Sequence, residues 1–177
     1  NVWGSYANLD FTIDTKVPDI EDIQVSYTLG QHAVCDGQTV KITALISDVT
    51  TQVDPTTVTL DGTNLNGNSL TSMYDNGTNG DDVANDHVYT SLVVISTGLN
   101  GTQPFTITAS DIVPNTTVSD SGFVVLDNTP PSAVTVSVLD PDNIYRNGET
   151  IHLLATTDAL GYIVTGNFST IDAYYVA

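Results

Sequence analysis

Apolar and polar residues alternate along this chain in short runs. The clearest is QTVKITALIS at 38–47, where Val40, Ile42, Ala44 and Ile46 occupy every second position. A period of two marks a strand with one face buried, because successive side chains of an extended backbone point to opposite faces. Comparable runs predict strands over residues 9–14, 20–28, 38–47, 56–60, 68–73, 87–96, 103–110, 117–127, 133–139, 149–157, 161–166 and 171–177. Between them stand pairs that favour tight turns, Asp36-Gly37, Asp61-Gly62, Asn66-Gly67, Asn100-Gly101 and Asn147-Gly148. No window carries apolar residues at helical spacing among good helix formers, so the pattern predicts an all-β chain folded as a sandwich.

The same pattern contains an internal repeat. FTIDTKVP at 11–18 returns as FVVLDNTPP at 123–131, and DGQTVKITA at 36–44 returns as NGETIHLLA at 147–155. Both pairs are about 111 to 113 residues apart, and Asp48 finds its counterpart in Asp158 at nearly the same spacing, 110 residues. The repeat predicts sandwiches in tandem with a period of about 112 residues. Residues 1–14 are then the closing strand of a preceding or neighbouring sandwich, 15–127 a complete domain, and 128–177 the beginning of a second. Prolines at the junctions, Val17-Pro18 and Pro130-Pro131, fix φ and make the linkers stiff.

Three stretches carry a resemblance: FVVLDNTPPSAVTVSV at 123–138, ITASDIVPNTTVSDSG at 107–122 and MYDNGTNGDDVANDHVYTS at 73–91. They resemble the tandem immunoglobulin-like repeats of archaeal and bacterial extracellular surface and filament proteins. That resemblance implies an immunoglobulin-like β-sandwich and a structural module of a surface layer or filament, assembling head to tail. The same family also supplies adhesin modules that bind glycan or protein through sandwich loops, and non-catalytic spacers of secreted enzymes; both stand as alternatives.

Composition narrows the function classes. The chain has 21 acidic residues against three cations, Lys16, Lys41 and Arg146, for a formal net charge of -18. Glu21 and Glu149 are the only glutamates. Asp and Asn favour turns and caps, while the good helix formers Glu, Lys and Arg are nearly absent, which agrees with the β pattern. A field of this sign repels phosphate backbones and anionic lipid, so nucleic-acid binding is excluded. It attracts divalent cations and keeps a protein soluble in saline surroundings, which places the expectation outside the cell, at a surface or in a secreted filament. Cys35 is the one cysteine, so no intrachain disulfide can staple the fold. No run approaches the roughly 20 apolar residues of a membrane-spanning helix, so membrane insertion is not expected. Asn1 in place of an initiator Met fits a chain processed or excised from a longer one.

Candidate chemistry concentrates in one loop. Residues 75–86, DNGTNGDDVAND, hold four carboxylates, three asparagines and two glycines without a cation. Calcium takes six to eight oxygens, which such a loop supplies; Asp75, Asn79, Asp81, Asp82 and Asp86 are the expected ligands. A solvated acidic turn held by side-chain-to-backbone hydrogen bonds is the competing account. A second cation idea concerns Asp14, Asp48, Asp111 and Asp127, all near predicted domain ends, where acids of adjoining modules would share an ion across the linker. Four N-X-S/T triplets, at Asn76, Asn100, Asn115 and Asn167, are candidate glycosylation sites.

For catalysis the sequence offers little. His32, His87 and His152 have no second histidine at metal spacing, and no G-x-S-x-G, H-E-x-x-H or phosphate-binding glycine loop is present. The expectation is a protein that is not an enzyme. Lys41, alternating with Val40 and Ile42, is expected to face outward, which speaks against a buried Lys–Asn isopeptide bond. Exposed aromatics would favour adhesion, with Trp3, Tyr74 and the Tyr174-Tyr175 pair as candidates. Head-to-tail β-addition, in which residues 1–14 of one subunit complete the sheet begun by 128–177 of the next, would make the chain its own partner in a filament.

Overall fold

A computed structural model of the chain describes residues 13–27, 32–120, 122–130, 134–139 and 150–157. The strands expected at 161–166 and 171–177, and most of that at 9–14, lie outside these residues, as do Trp3, the Tyr174-Tyr175 pair, Arg146 and Asn167. By its contacts the chain divides into two units, Asn1–Asn128 and Thr129–Ala177.

In the first unit, strands β1 (Asp19–Ser26), β2 (Thr39–Ser47) and β5 (Val88–Val94) form one antiparallel sheet in the order β1-β2-β5. A second sheet runs β4-β3-β6-β7, from β3 (Thr59–Gly62), β4 (Asn68–Ser72), β6 (Gly101–Ser110) and β7 (Thr116–Val118). The strand β8 (Gly122–Leu126) pairs with the first half of β6. The architecture is all-β and sandwich-like, since the inward faces of both sheets meet in one core. Val40, Ile42, Ala44 and Ile46 of β2 and Tyr89 and Val93 of β5 contribute from one side. Leu60 of β3, Phe105, Ile107 and Ala109 of β6, and Val124 and Leu126 of β8 contribute from the other. Burying a Val, Leu, Ile or Phe side chain stabilises by about 1.5–3 kcal/mol, so this single cluster replaces the missing disulfide as the source of cohesion.

Where β4 ends, the chain links the two sheets. Met73 donates its N–H to Val58 O beside β3, while Tyr74 exchanges both backbone hydrogen bonds with Thr90 of β5, each at 2.8 Å. Val34 forms a parallel bridge to Leu126 and covers the outer edge of β8.

Three features depart from the sequence pattern. The strand expected over 117–127 is two strands, β7 and β8, each paired with a different part of β6. Residues 13 and 14 are not in a strand. A single helical turn, α1 (Thr63–Asn66), stands where no helix was expected, started by Asp61 Oδ1, which accepts from Thr63 N–H (3.0 Å) and Thr63 Oγ1 (2.6 Å). It closes on Gly67 with φ +79°, a left-handed conformation that glycine adopts without a Cβ clash.

Within the second unit, β9 (Val134–Val138) and β10 (Leu153–Thr157) pair antiparallel, with Val136 opposite Ala155.

Candidate functional site

The acidic loop at 75–86 leaves β4 and returns into β5 through backbone that most side chains avoid. Gly77, Asn79, Gly80, Asn85 and His87 all have positive φ, which Gly accepts freely and Asn better than most. The loop folds back over the outer face of the β1-β2-β5 sheet. At Gly80 a Cβ would stand 2.6 Å from Leu92 Cγ, so only glycine lets the backbone pass that close to β5.

Of the four acids expected to ligate calcium there, the fold brings three together. Carboxylate oxygens of Asp75, Asp81 and Asp86 lie within 4.8 Å of one another, a grouping that could hold a metal ion. Asp82 goes elsewhere: its Oδ2 accepts from Lys41 Nζ at 2.7 Å, pinning the loop to the outer face of β2. Asn79 donates through Nδ2 to Thr78 Oγ1 within the turn. All three grouped carboxylates also organise the loop itself. Asp75 accepts from Asp86 N–H and His87 N–H, Asp81 from Gly77 N–H at 2.6 Å, and Asp86 from Val88 N–H.

A second acidic group forms at the end of the sandwich where β1 begins and β2 and β6 finish. Asp14 precedes β1, Asp48 follows β2 directly and Asp111 follows β6 directly, and one oxygen from each lies within 4.8 Å of the others. Asp14 keeps 7% of its surface and Asp111 2%. Thr51 and Asn115 knit the three together. Thr51 Oγ1 donates to Asp14 Oδ2 at 2.7 Å, and the Thr50 and Thr51 N–H groups donate to Asp48 Oδ1 at 2.8 and 2.7 Å. Asn115 Nδ2 donates to Asp111 Oδ2 at 2.8 Å and reaches Asp14 O at 3.4 Å. Burial pushes the Asp111 carboxyl up, but hydrogen bonds from Asn115, side chain and backbone, and from Val113 N–H together outweigh it and hold the group below its ordinary value. Asp127, expected to join this group, lies apart from it at the end of β8, where its N–H donates to Val34 O.

The two acidic groups flank a cleft of about 550 Å³ whose lining includes Asp48, Gln52, Tyr74, Asp75, His87 and Tyr89. No local pattern announces it, because its walls come from three separated segments. Tyr89 is buried there, and that burial, followed by the charges of Asp75 and Asp54, pushes its phenol up to about 12.

The remaining candidates are dispersed. His32, His87 and His152 are exposed, and neither acidic group includes a histidine. Cys35 is a free, partly exposed thiol in the loop before β2. Among the sequons, Asn115 has its amide nitrogen, the atom a glycan would take, bonded into the Asp14–Asp111 network. Asn76 is exposed and accepts through Oδ1 from Thr78 N–H and Oγ1, which leaves its amide nitrogen uncommitted among the described residues. Asn100 accepts Asn128 N–H at 2.6 Å. No described helix is long and apolar enough to cross a membrane.

No family model, curated protein or solved structure matches this chain.

Proposed function

We propose that the chain is a structural module of an extracellular surface layer or filament, an immunoglobulin-like sandwich arrayed head to tail with copies of itself. The observation that carries this reading is the pairing of sheet orders in the first unit, β1-β2-β5 against β4-β3-β6-β7. With β1, β2 and β5 in one sheet and β3, β6 and β7 in the other, the order follows the A-B-E against C-F-G division of strands in an immunoglobulin-like sandwich. One further observation supports it. The β9–β10 pair repeats the antiparallel pairing of β1 with β2 on the half of the sequence repeat that follows the Pro130-Pro131 junction. The cleft beside Tyr74 and His87 favours a second reading, an adhesin module that takes glycan or protein between its loops.

Negative-stain electron microscopy of native material, paired with the intact mass of the denatured subunit, tests the reading. Filaments or a periodic layer are expected. Dispersed single particles that are retained on immobilised glycan or protein would replace it with the adhesin reading.

A further inference from the structure

We infer that Asp14, Asp48 and Asp111 form a binding site for a divalent cation of the calcium class. Three carboxylates whose oxygens lie within 4.8 Å of one another repel, and two of them are more than nine-tenths buried, where repulsion is poorly screened. The protein compensates only in part. Both oxygens of Asp14 accept a hydrogen bond, from Lys16 N–H and Thr51 Oγ1, and both oxygens of Asp111 accept from the 113–115 turn. Asp48 Oδ1 takes the Thr50 and Thr51 N–H groups. Asp48 Oδ2 takes nothing: it is shut off from solvent and has no hydrogen-bond partner. A charged oxygen stripped of water and left without a donor is among the more costly things a fold can contain, and a coordinated cation removes the cost.

That orphaned oxygen separates this group from the acidic loop, where Asp75, Asp81 and Asp86 each accept a backbone N–H and no buried oxygen is stranded. Among the described residues neither lysine serves Asp48, since Lys16 pairs with Asp19 at 3.2 Å and Lys41 with Asp82. The donor set is oxygen alone, which suits a hard cation and not zinc or copper. Two of the three ligands, Asp14 and Asp48, lie outside regular strands, an arrangement that suits the larger, geometrically tolerant calcium better than magnesium, which demands near-ideal octahedral geometry. Asp48 also lines the cleft, through which a hydrated ion can enter and keep water in its remaining positions. A bound ion would tie the segment ahead of β1 to the ends of β2 and β6, and so to both sheets. This inference stands whether or not the module assembles with copies of itself.

The test is calorimetric titration of calcium into the EDTA-stripped 177-residue chain, with thermal melting of the same samples. Wild type is expected to bind calcium and to melt at a higher temperature with it. Asp48→Asn keeps an acceptor for the Thr50 and Thr51 N–H groups and removes the stranded charge. It should weaken calcium binding by at least about tenfold, because affinity follows ligand charge. Without calcium it should melt no lower than wild type, a result that a purely turn-forming Asp48 does not predict. Asp86→Asn, in the acidic loop, should retain the calcium response that Asp48→Asn loses. If Asp48→Asn shows no folded circular-dichroism spectrum, Asp14→Asn, which still accepts from Lys16 N–H, gives the same reading. Wild type that takes up no calcium at concentrations on the order of 1 mM overturns the assignment. So does an Asp48→Asn protein with wild-type affinity and stoichiometry, or a response abolished by Asp86→Asn alone.

Discussion

Tyr89 shows how one residue couples the core to the acidic cleft. Its ring belongs to the core cluster, and burial first, then the charges of Asp75 and Asp54, oppose ionisation of its phenol, whose value is raised from 10.0 to about 12. A group whose folded value lies above its unfolded one contributes stability that is complete below the unfolded value and is lost as pH rises through the folded one. The melting temperature should therefore hold up to about pH 10 and fall between pH 10 and 12, and Tyr89→Phe should remove part of that fall while changing little at pH 8. Parallel profiles for the two proteins would assign the alkaline limb to another group. Individual residues were legible to different degrees. The crowding of 75–86 was visible as composition, and Asp14, Asp48 and Asp111 were visible as acids at strand ends. What spacing along the chain does not encode is that strand ends from two sheets converge. The orphaned Asp48 oxygen and the bridging roles of Thr51 and Asn115 therefore emerge only in three dimensions.

At the scale of the element, alternation was a sound guide wherever one face is buried. In β2 every even residue from Val40 to Ile46 is fully buried, while the odd ones face outward, Lys41 among them, salt-bridged to Asp82. It misled over 117–127, where Val118, Val124 and Leu126 keep a period of two across a break. Val118 is exposed in β7, whereas Val124 and Leu126 are buried in β8. The start of β8 is itself tightly packed. At Gly122, the first residue of β8, an added Cβ would run into the ring of Phe105, itself buried against the core. Its φ is not positive, so the requirement for glycine is one of space and not of backbone conformation. Gly122→Ala should thus destabilise by about 1–3 kcal/mol, the usual cost of overpacking a filled interior. Chemical denaturation measures it, and pairing the change with Phe105→Leu should recover part of the loss. An unchanged midpoint for Gly122→Ala would mean that β8 can move away from β6 at no cost. The turn α1 was missed because four residues are too few to show a helical period; Asp61 and Gly67, its two end signals, read equally well as hairpin punctuation.

Across the whole molecule, charge is the dominant feature and it opposes compactness. A formal net charge of -18 spread over a chain with three cations produces self-repulsion that the sandwich core must exceed. Salt acts on such a protein in two opposed ways, screening repulsion and screening attractive ion pairs. Their relative size follows from what is present. Among the described residues the ion pairs are Lys16–Asp19 and Lys41–Asp82, both with exposed partners, and pairs of that kind are worth about 0–1 kcal/mol each. There is little attraction to lose. Repulsion, by contrast, acts over a screening length that shrinks from about 30 Å at 0.01 M to about 3 Å at 1 M salt. The melting temperature should accordingly climb with sodium chloride over that range, measured in EDTA so that no divalent ion contributes. Asp48→Asn should climb in parallel, because one charge in so large an excess scarcely alters a field made by all of them. A flat or falling wild-type profile would mean that the acids sit too far apart to burden the fold. A slope that collapses in Asp48→Asn would mean that sodium itself occupies the Asp14–Asp48–Asp111 group, so that the salt response is site binding and not screening.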